Sequence, residues 1–410
     1  MTTASQRPQQ AENNNAIPAH MGELDAAWLT AQLRSCRAID EANYVEQFEI
    51  DPLGDGEGFI GELGRIRLSY ASEAPRAPAS VIAKTPSRIL QNRGLGVMMG
   101  AYENEIRFYS ELAAHVGVRV PECYAAVATP EPRSAAIANR IVSRLPGGLA
   151  LRALGPLTRA AAKTPRRFGL LIEDLDGLAV GDQVAGADVE TASIALRHLA
   201  RLHANTWESQ LLDQPWLRAA DNNAAFTQAL FRRAWPIFRE RYDSVLPPEV
   251  VRLGEYLLDN GEALLKRMAR APRTLNHGDF RLDNLLFDPA DRDQVTIIDW
   301  QVITAGNPMP DVSYFLRTNL LPEVADRVEQ DLLRAYHEGL AEHGVKDYSL
   351  EAALADYRLA LAWLLHRGAL LVGLLDMSHD RGQAIVDRAI ERSVPAVATV
   401  TPQELRAAGI

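Results

Sequence analysis

Residues 275–300, LNHGDFRLDNLLFDPADRDQVTIIDW, constrain this chain more than any other stretch, because they put acids and amides beside apolar runs that must be buried. Residues 295–298 are mostly β-branched and predict a short strand, with Asp299 at its end. Asp279 and Asn284 fall in a loop between the apolar turn at Leu275 and the run Leu285, Leu286, Phe287. A carboxylate at the rim of a core packs badly but can hold a cation through oxygen. Any one of these polar residues alone would read as a turn former. Together and in this order they read as a site.

The spacing H-G-D-x-x-x-x-N, with a strand-terminal Asp fifteen residues after the Asn, resembles the catalytic segment of protein-kinase-like phosphotransferases. The resemblance is strongest to the aminoglycoside phosphotransferase family and its choline-kinase-like and ecdysteroid-kinase-like relatives. It implies that Asp279 is the base for a substrate hydroxyl and that Asn284 and Asp299 hold Mg²⁺. Arg281 falls where protein kinases carry a lysine that steadies the transferring phosphate. His277 is expected to brace the loop.

Size and composition are compatible with this. A chain of 410 residues exceeds one ordinary domain and suits two lobes. Its net charge of −10 disfavours nucleic acid as a partner. Two cysteines, Cys36 and Cys123, offer neither metal-ligand spacing nor a disulfide framework, which fits a reducing, cytoplasmic compartment. The apolar run 359–375 is interrupted by His366 and Arg367, so a buried helix is expected there and no membrane span.

Along the chain, residues 1–23 read as a disordered leader and 25–36 as an amphipathic helix capped by Asp25. Residues 45–70 alternate about a glycine-rich connection and predict a hairpin. Within it Gly56, Gly58 and Gly61 resemble a phosphate-covering loop, although a plain flexible turn has the same composition. Val81 to Lys84 predict a strand whose lysine corresponds to the family's phosphate-binding position. A buried ammonium requires a partner, and Glu105, on a helix predicted over 98–114, is preferred to Glu103 for that role. Residues 121–128 and 137–145 read as strands, and the basic stretch 152–167 as a solvated helix or insertion. Residues 168–175 resemble the family's hinge, where the backbone of Glu173 and Leu175 would meet an adenine edge. Asp188 is a helix cap; His198 and His203, five apart, read as packing residues and not as a metal pair.

Phe231, Trp235, Phe238 and Tyr242 recur at helical spacing. They are either a core stripe or an aromatic wall for an apolar acceptor. Asp311 opens an apolar helix and resembles the family's acid that supports the catalytic loop. After Asp299 the chain reads Trp300, Gln301 with no A-P-E segment, which argues for a small acceptor and not a peptide.

The expected fold is α+β: a bilobal protein-kinase-like architecture with a small, mainly antiparallel β lobe and a larger helical one. Nucleotide binding is expected in residues 24–172, and catalysis and acceptor binding in 173–410. The function so implied is ATP- and Mg²⁺-dependent phosphorylation of a small-molecule hydroxyl, on a neutral or apolar acceptor. An aminoglycoside or amino-alcohol kinase and a transfer-inactive nucleotide-binding regulator are the rivals. Nothing in these residues specifies an oligomeric state.

Overall fold

A computed structural model of the protein describes residues 17–53, 61–131, 147–219, 223–270, 272–374 and 380–410. It divides into two compact units, the first of residues 1–110, 121–131 and 156–176, the second of 111–120, 132–155 and 177–410. The glycine connection holding Gly56 and Gly58, and the strand expected at 137–145, lie outside the described residues.

The first unit is built on a five-stranded antiparallel sheet. Helix α1 (Ala26–Ser35) starts where the Asp25 carboxylate accepts from Trp28 N at 2.7 Å, as its capping position predicts. The strands are β1 (Val45–Pro52), β2 (Gly61–Tyr70) and β3 (Ser80–Pro86), with β4 (Cys123–Ala128) and β5 (Phe168–Glu173) following in the chain. Their spatial order is β1-β2-β3-β5-β4. Alternation sets the two faces. Val81 and Ala83 of β3 are buried in a cluster with Leu29, Leu33, Ile66 and Leu171, so Lys84 is turned to the opposite face.

The helix expected over 98–114 is instead divided. Gly100, at φ +71°, ends α2 (Leu90–Met99) and begins α3 (Ala101–Arg107), and the chain then loosens into a wider turn over Phe108–Leu112. A left-handed residue cannot continue a right-handed helix, and glycine adopts it without a Cβ penalty. In the basic stretch, residues Gly147–Ala162 form α4. Beyond it, Arg166 is buried and pairs with Glu103 at 2.9 Å.

The second unit is mostly helical. Two small antiparallel sheets, β7 (Thr274–Asn276) with β10 (Thr304–Gly306), and β6 (Ala179–Val180) with β8 (Leu285–Phe287) and β9 (Val295–Ile297), frame the loop that carries Asp279. Around them stand α5 (Val189–Asn205), α6 (Ala224–Tyr242), α7 (Pro248–Met268), α8 (Met309–Asn319), α9 (Pro322–Glu342), α10 (Leu350–Leu374), α11 (Asp380–Val397) and α12 (Pro402–Ala407). Every residue of α8 is buried. Among the described residues no helix is long and apolar enough to cross a membrane.

The aromatic stripe of α6 is core. Phe231, Trp235, Phe238 and Tyr242 are all buried, and Phe231 stacks on His366 of α10 with centroids 4.3 Å apart. Gly254 of α7 admits the Trp235 ring where a Cβ would overlap it. These rings are used in helix packing, so an apolar acceptor gains no support from them.

Candidate active site

In the second unit the loop after β7 is held from below by Asp311, in the first turn of α8. Its two carboxylate oxygens accept the backbone N–H groups of His277 at 2.6 Å and Gly278 at 2.9 Å. Gly278 has φ +79°, and a Cβ there would overlap the Val302 carbonyl. Glycine is required by both the dihedral and the close approach. Buried His203 stands behind Asp311, with Nε2 3.5 Å from it and Nδ1 2.7 Å from the Tyr336 hydroxyl. Desolvation holds the His203 pKa below the usual imidazole range.

His277 braces the loop. Its Nδ1 accepts from Asp279 N at 3.2 Å, so the ring proton sits on Nε2 and is donated to the Ile298 carbonyl at 2.9 Å. This ties the Asp279 loop to the residue before Asp299. A second tie runs from Ile298 N to the Asn284 carbonyl at 3.0 Å. Asp299 has φ +67°, a strained conformation for a residue with a side chain and one concentrated at functional sites.

The Asp279 carboxylate has two differently furnished oxygens. Oδ2 accepts from Arg281 Nε at 3.0 Å and from Asn284 Nδ2 at 3.1 Å. Oδ1 accepts from the Tyr314 hydroxyl at 3.0 Å and lies 3.4 Å from Arg367 Nη2. Burial alone would raise the Asp279 pKa. The charges of Arg281 and Arg367 outweigh it and bring the value down to about 2. Beside this anion the Tyr314 hydroxyl, already disfavoured from ionising by burial, is pushed up further. Arg281 is in turn held by Asp283, and Arg381 approaches Asp283 at 3.1 Å.

Asn284 is buried and directs Nδ2 at both the Asp279 carbonyl, 2.8 Å away, and its carboxylate, so its Oδ1 is the atom a cation would meet. With the Asp299 carboxylate this is an all-oxygen donor pair suited to a hard divalent ion. Among the described residues no group of three or more His, Cys, Asp or Glu could enclose a metal. His198 and His203 make no metal pair; His198 Nε2 is instead 2.8 Å from the Asp293 carbonyl.

In the first unit, Lys84 Nζ and Glu105 Oε1 are 2.5 Å apart, with the Glu105 side chain almost fully buried. Glu103 pairs elsewhere, with Arg107 and Arg166. At the end of β5, Glu173 N donates to the Glu122 carbonyl at 2.8 Å, which occupies that N–H. The residue between Glu173 and Leu175 was not foreseen. Asp174 is bound by Arg65 Nε at 2.6 Å and by the Ser80 hydroxyl at 2.6 Å, which fixes the chain on either side of it.

Tyr314 and Arg367 also escaped the sequence reading. Tyr314 lies one helical turn beyond Asp311, and Arg367 is the charge that interrupts the apolar run of α10. A charge inside such a run is itself a signal, because burial demands a partner.

The ecdysteroid kinase-like family model matches residues 55–346 of this chain. Among curated proteins the chain is similar to acyl-CoA dehydrogenase family member 10 of Mus musculus, 47% identical over 49 residues, 12% of this chain and 5% of that protein. It is also similar to acyl-CoA dehydrogenase family member 11 of Pongo abelii, 28% identical over 99 residues, 23% of this chain and 11% of that protein. These matches span about a tenth or less of the relatives' lengths. Among solved structures, choline kinase from Cryptosporidium parvum Iowa II superposes with a TM-score of 0.51 at 10% identity, covering 93% of this chain and 96% of that one. That likeness is one of fold.

Proposed function

Because this chain belongs to the ecdysteroid kinase-like family and has its α+β, protein-kinase-like fold, we propose that it is an ATP- and Mg²⁺-dependent phosphotransferase acting on a hydroxyl of a small molecule. One observation carries the reading. Asp279 is an ionised carboxylate oriented by four side chains, on a loop tied to both Asn284 and the residue preceding Asp299. A scaffold without chemistry has no use for that strain at Asp299 or for two arginines gathered on one acid.

Each residue then has a role. Asp279 orients the acceptor hydroxyl and takes its proton as the acceptor oxygen bonds to the γ-phosphorus and the bond to the ADP oxygen breaks. Arg281 stands on the Asn284 side of Asp279, where it balances charge on the transferring group. Asn284 and Asp299 would hold Mg²⁺, which neutralises phosphate charge when bound. Lys84, oriented by Glu105, meets the α- and β-phosphates, and the backbone of Glu173 and Leu175 meets the adenine. Gly56 and Gly58 keep their proposed part in covering the phosphates. The free thiols of Cys36 and Cys123 support action in the cytoplasm. Arg367 beside Asp279 disfavours a polycationic acceptor.

The test is an acceptor screen read by nucleotide consumption, with Asp279→Asn run in parallel. Acceptor-dependent turnover in the native chain that Asp279→Asn abolishes supports the reading. Consumption that is equal in both proteins refutes it.

A further inference from the structure

The two oxygens of Asp279 divide the site. Oδ2 shares Arg281 with Asp283 and faces Asn284, the side assigned to cation and phosphate. Oδ1 faces Tyr314 and Arg367, so these two side chains stand where the acceptor must bring its hydroxyl.

Arg367 is an unusual occupant of that position. Its guanidinium lies 4.7 Å from the Tyr314 ring centroid and 5.6 Å from that of Trp363, an arrangement that holds the group flat without neutralising it. Its Nε is buried with no hydrogen-bond partner. Its bond to Asp279 is long, at 3.4 Å, and about a fifth of the side chain remains exposed. Among the described residues, Asp283 is engaged by Arg281 and Arg381, and Asp182 by Arg381. A guanidinium with donors to spare recognises a carboxylate or phosphate through its planar fork. An ammonium in the same place would meet the like charge of Arg367.

Resting on the phosphotransferase reading, we propose that Arg367 is the acceptor-reading residue and that the acceptor carries a carboxylate separated by a short carbon skeleton from the hydroxyl that is phosphorylated. Capture of that carboxylate draws Arg367 from Oδ1 and leaves this oxygen to the incoming hydroxyl. Acceptor binding and readiness of the base are thereby one event. Half-buried Trp363 supplies flat apolar surface for the carbon skeleton between the two groups.

The experiment uses the full chain with Mg²⁺ and a non-hydrolysable ATP analogue for binding, and with ATP for turnover. Three probes share one skeleton: para-(hydroxymethyl)benzoate, its amide, and para-(hydroxymethyl)benzylamine. The same three headgroups on a linear hexanol form a second series. The benzoate or the hydroxyhexanoate is expected to exceed its amide by about tenfold in affinity or kcat/KM, with the amine weakest. Arg367→Met should erase the difference between acid and amide, and Arg367→Lys should retain part of it. Equal use of acid and amide, preference for the amine, an acid preference that survives Arg367→Met, or no binding by either acid would overturn the proposal. So would a loss of nucleotide affinity in Arg367→Met, which would move this residue to the phosphate side. If the native chain binds no nucleotide at all, the phosphotransferase reading itself fails, a result visible before any acceptor is added.

Discussion

At the scale of the residue, contacts within one stretch of sequence, or implied by the cost of burying a charge, were legible, and contacts assembled from distant elements were not. Asp279, Asn284 and Asp299 share one stretch, and the Lys84–Glu105 pair follows from the cost of burying an ammonium alone. Tyr314 and Arg367 come from α8 and α10 and meet Asp279 only once both helices are packed. Asp279→Asn is expected to lower turnover by roughly 10² to 10⁴ with nucleotide affinity nearly intact. Lys84→Ala should weaken nucleotide binding as well as slow transfer, so titration calorimetry beside steady-state kinetics separates the two. Because the Asp279 pKa is depressed to about 2, its ionised form stabilises the fold fully above about pH 4, and this is lost as pH falls through the lowered value. The profile of kcat/KM against pH should accordingly show no acid limb from Asp279 between about pH 4 and pH 7. An acid limb in that window that disappears in Asp279→Asn would contradict the ion-pair geometry.

At the scale of the element, the alternation of β1 to β3, the Asp25 and Asp188 caps and the strand before Asp299 were all readable, since each is a local preference. The division of α2 from α3 at Gly100 was not, because the apolar spacing continues across it and only the dihedral ends the helix. The role of the α6 stripe was equally hidden, as spacing alone does not tell a ring in a core from one lining a site. The Asp279 loop is itself an element with two anchors. Asp311→Ala would leave one buried and one part-buried N–H group without acceptors and should cost about 2 kcal/mol or more. Gly278→Ala forces a side chain into a left-handed dihedral and against Val302, for about 2 kcal/mol or more. Denaturant midpoints would measure both, and Gly278→Ala at native stability would show that the loop has another conformation open to it.

At the scale of the whole molecule, two units with separate cores divide the proposed work, Lys84 and Glu105 in one and the Asp279 loop in the other. Asn284 and Asp299 are too few to enclose a cation. Metal binding is therefore expected to be weak for the protein alone and tight only with nucleotide, whose phosphates complete the coordination. Calorimetry of Mg²⁺ with and without the ATP analogue checks this, and a tight nucleotide-independent site would refute it. Asp311 and Tyr314 ride on one helix, so support of the loop and orientation of the Asp279 carboxylate are coupled. Arg367 arrives on a different helix. On the proposed reading, acceptor choice and loop support lie on separate helices, so substitution at Arg367 should change the acceptor while the Asp311 and Tyr314 contacts of α8 stay in place.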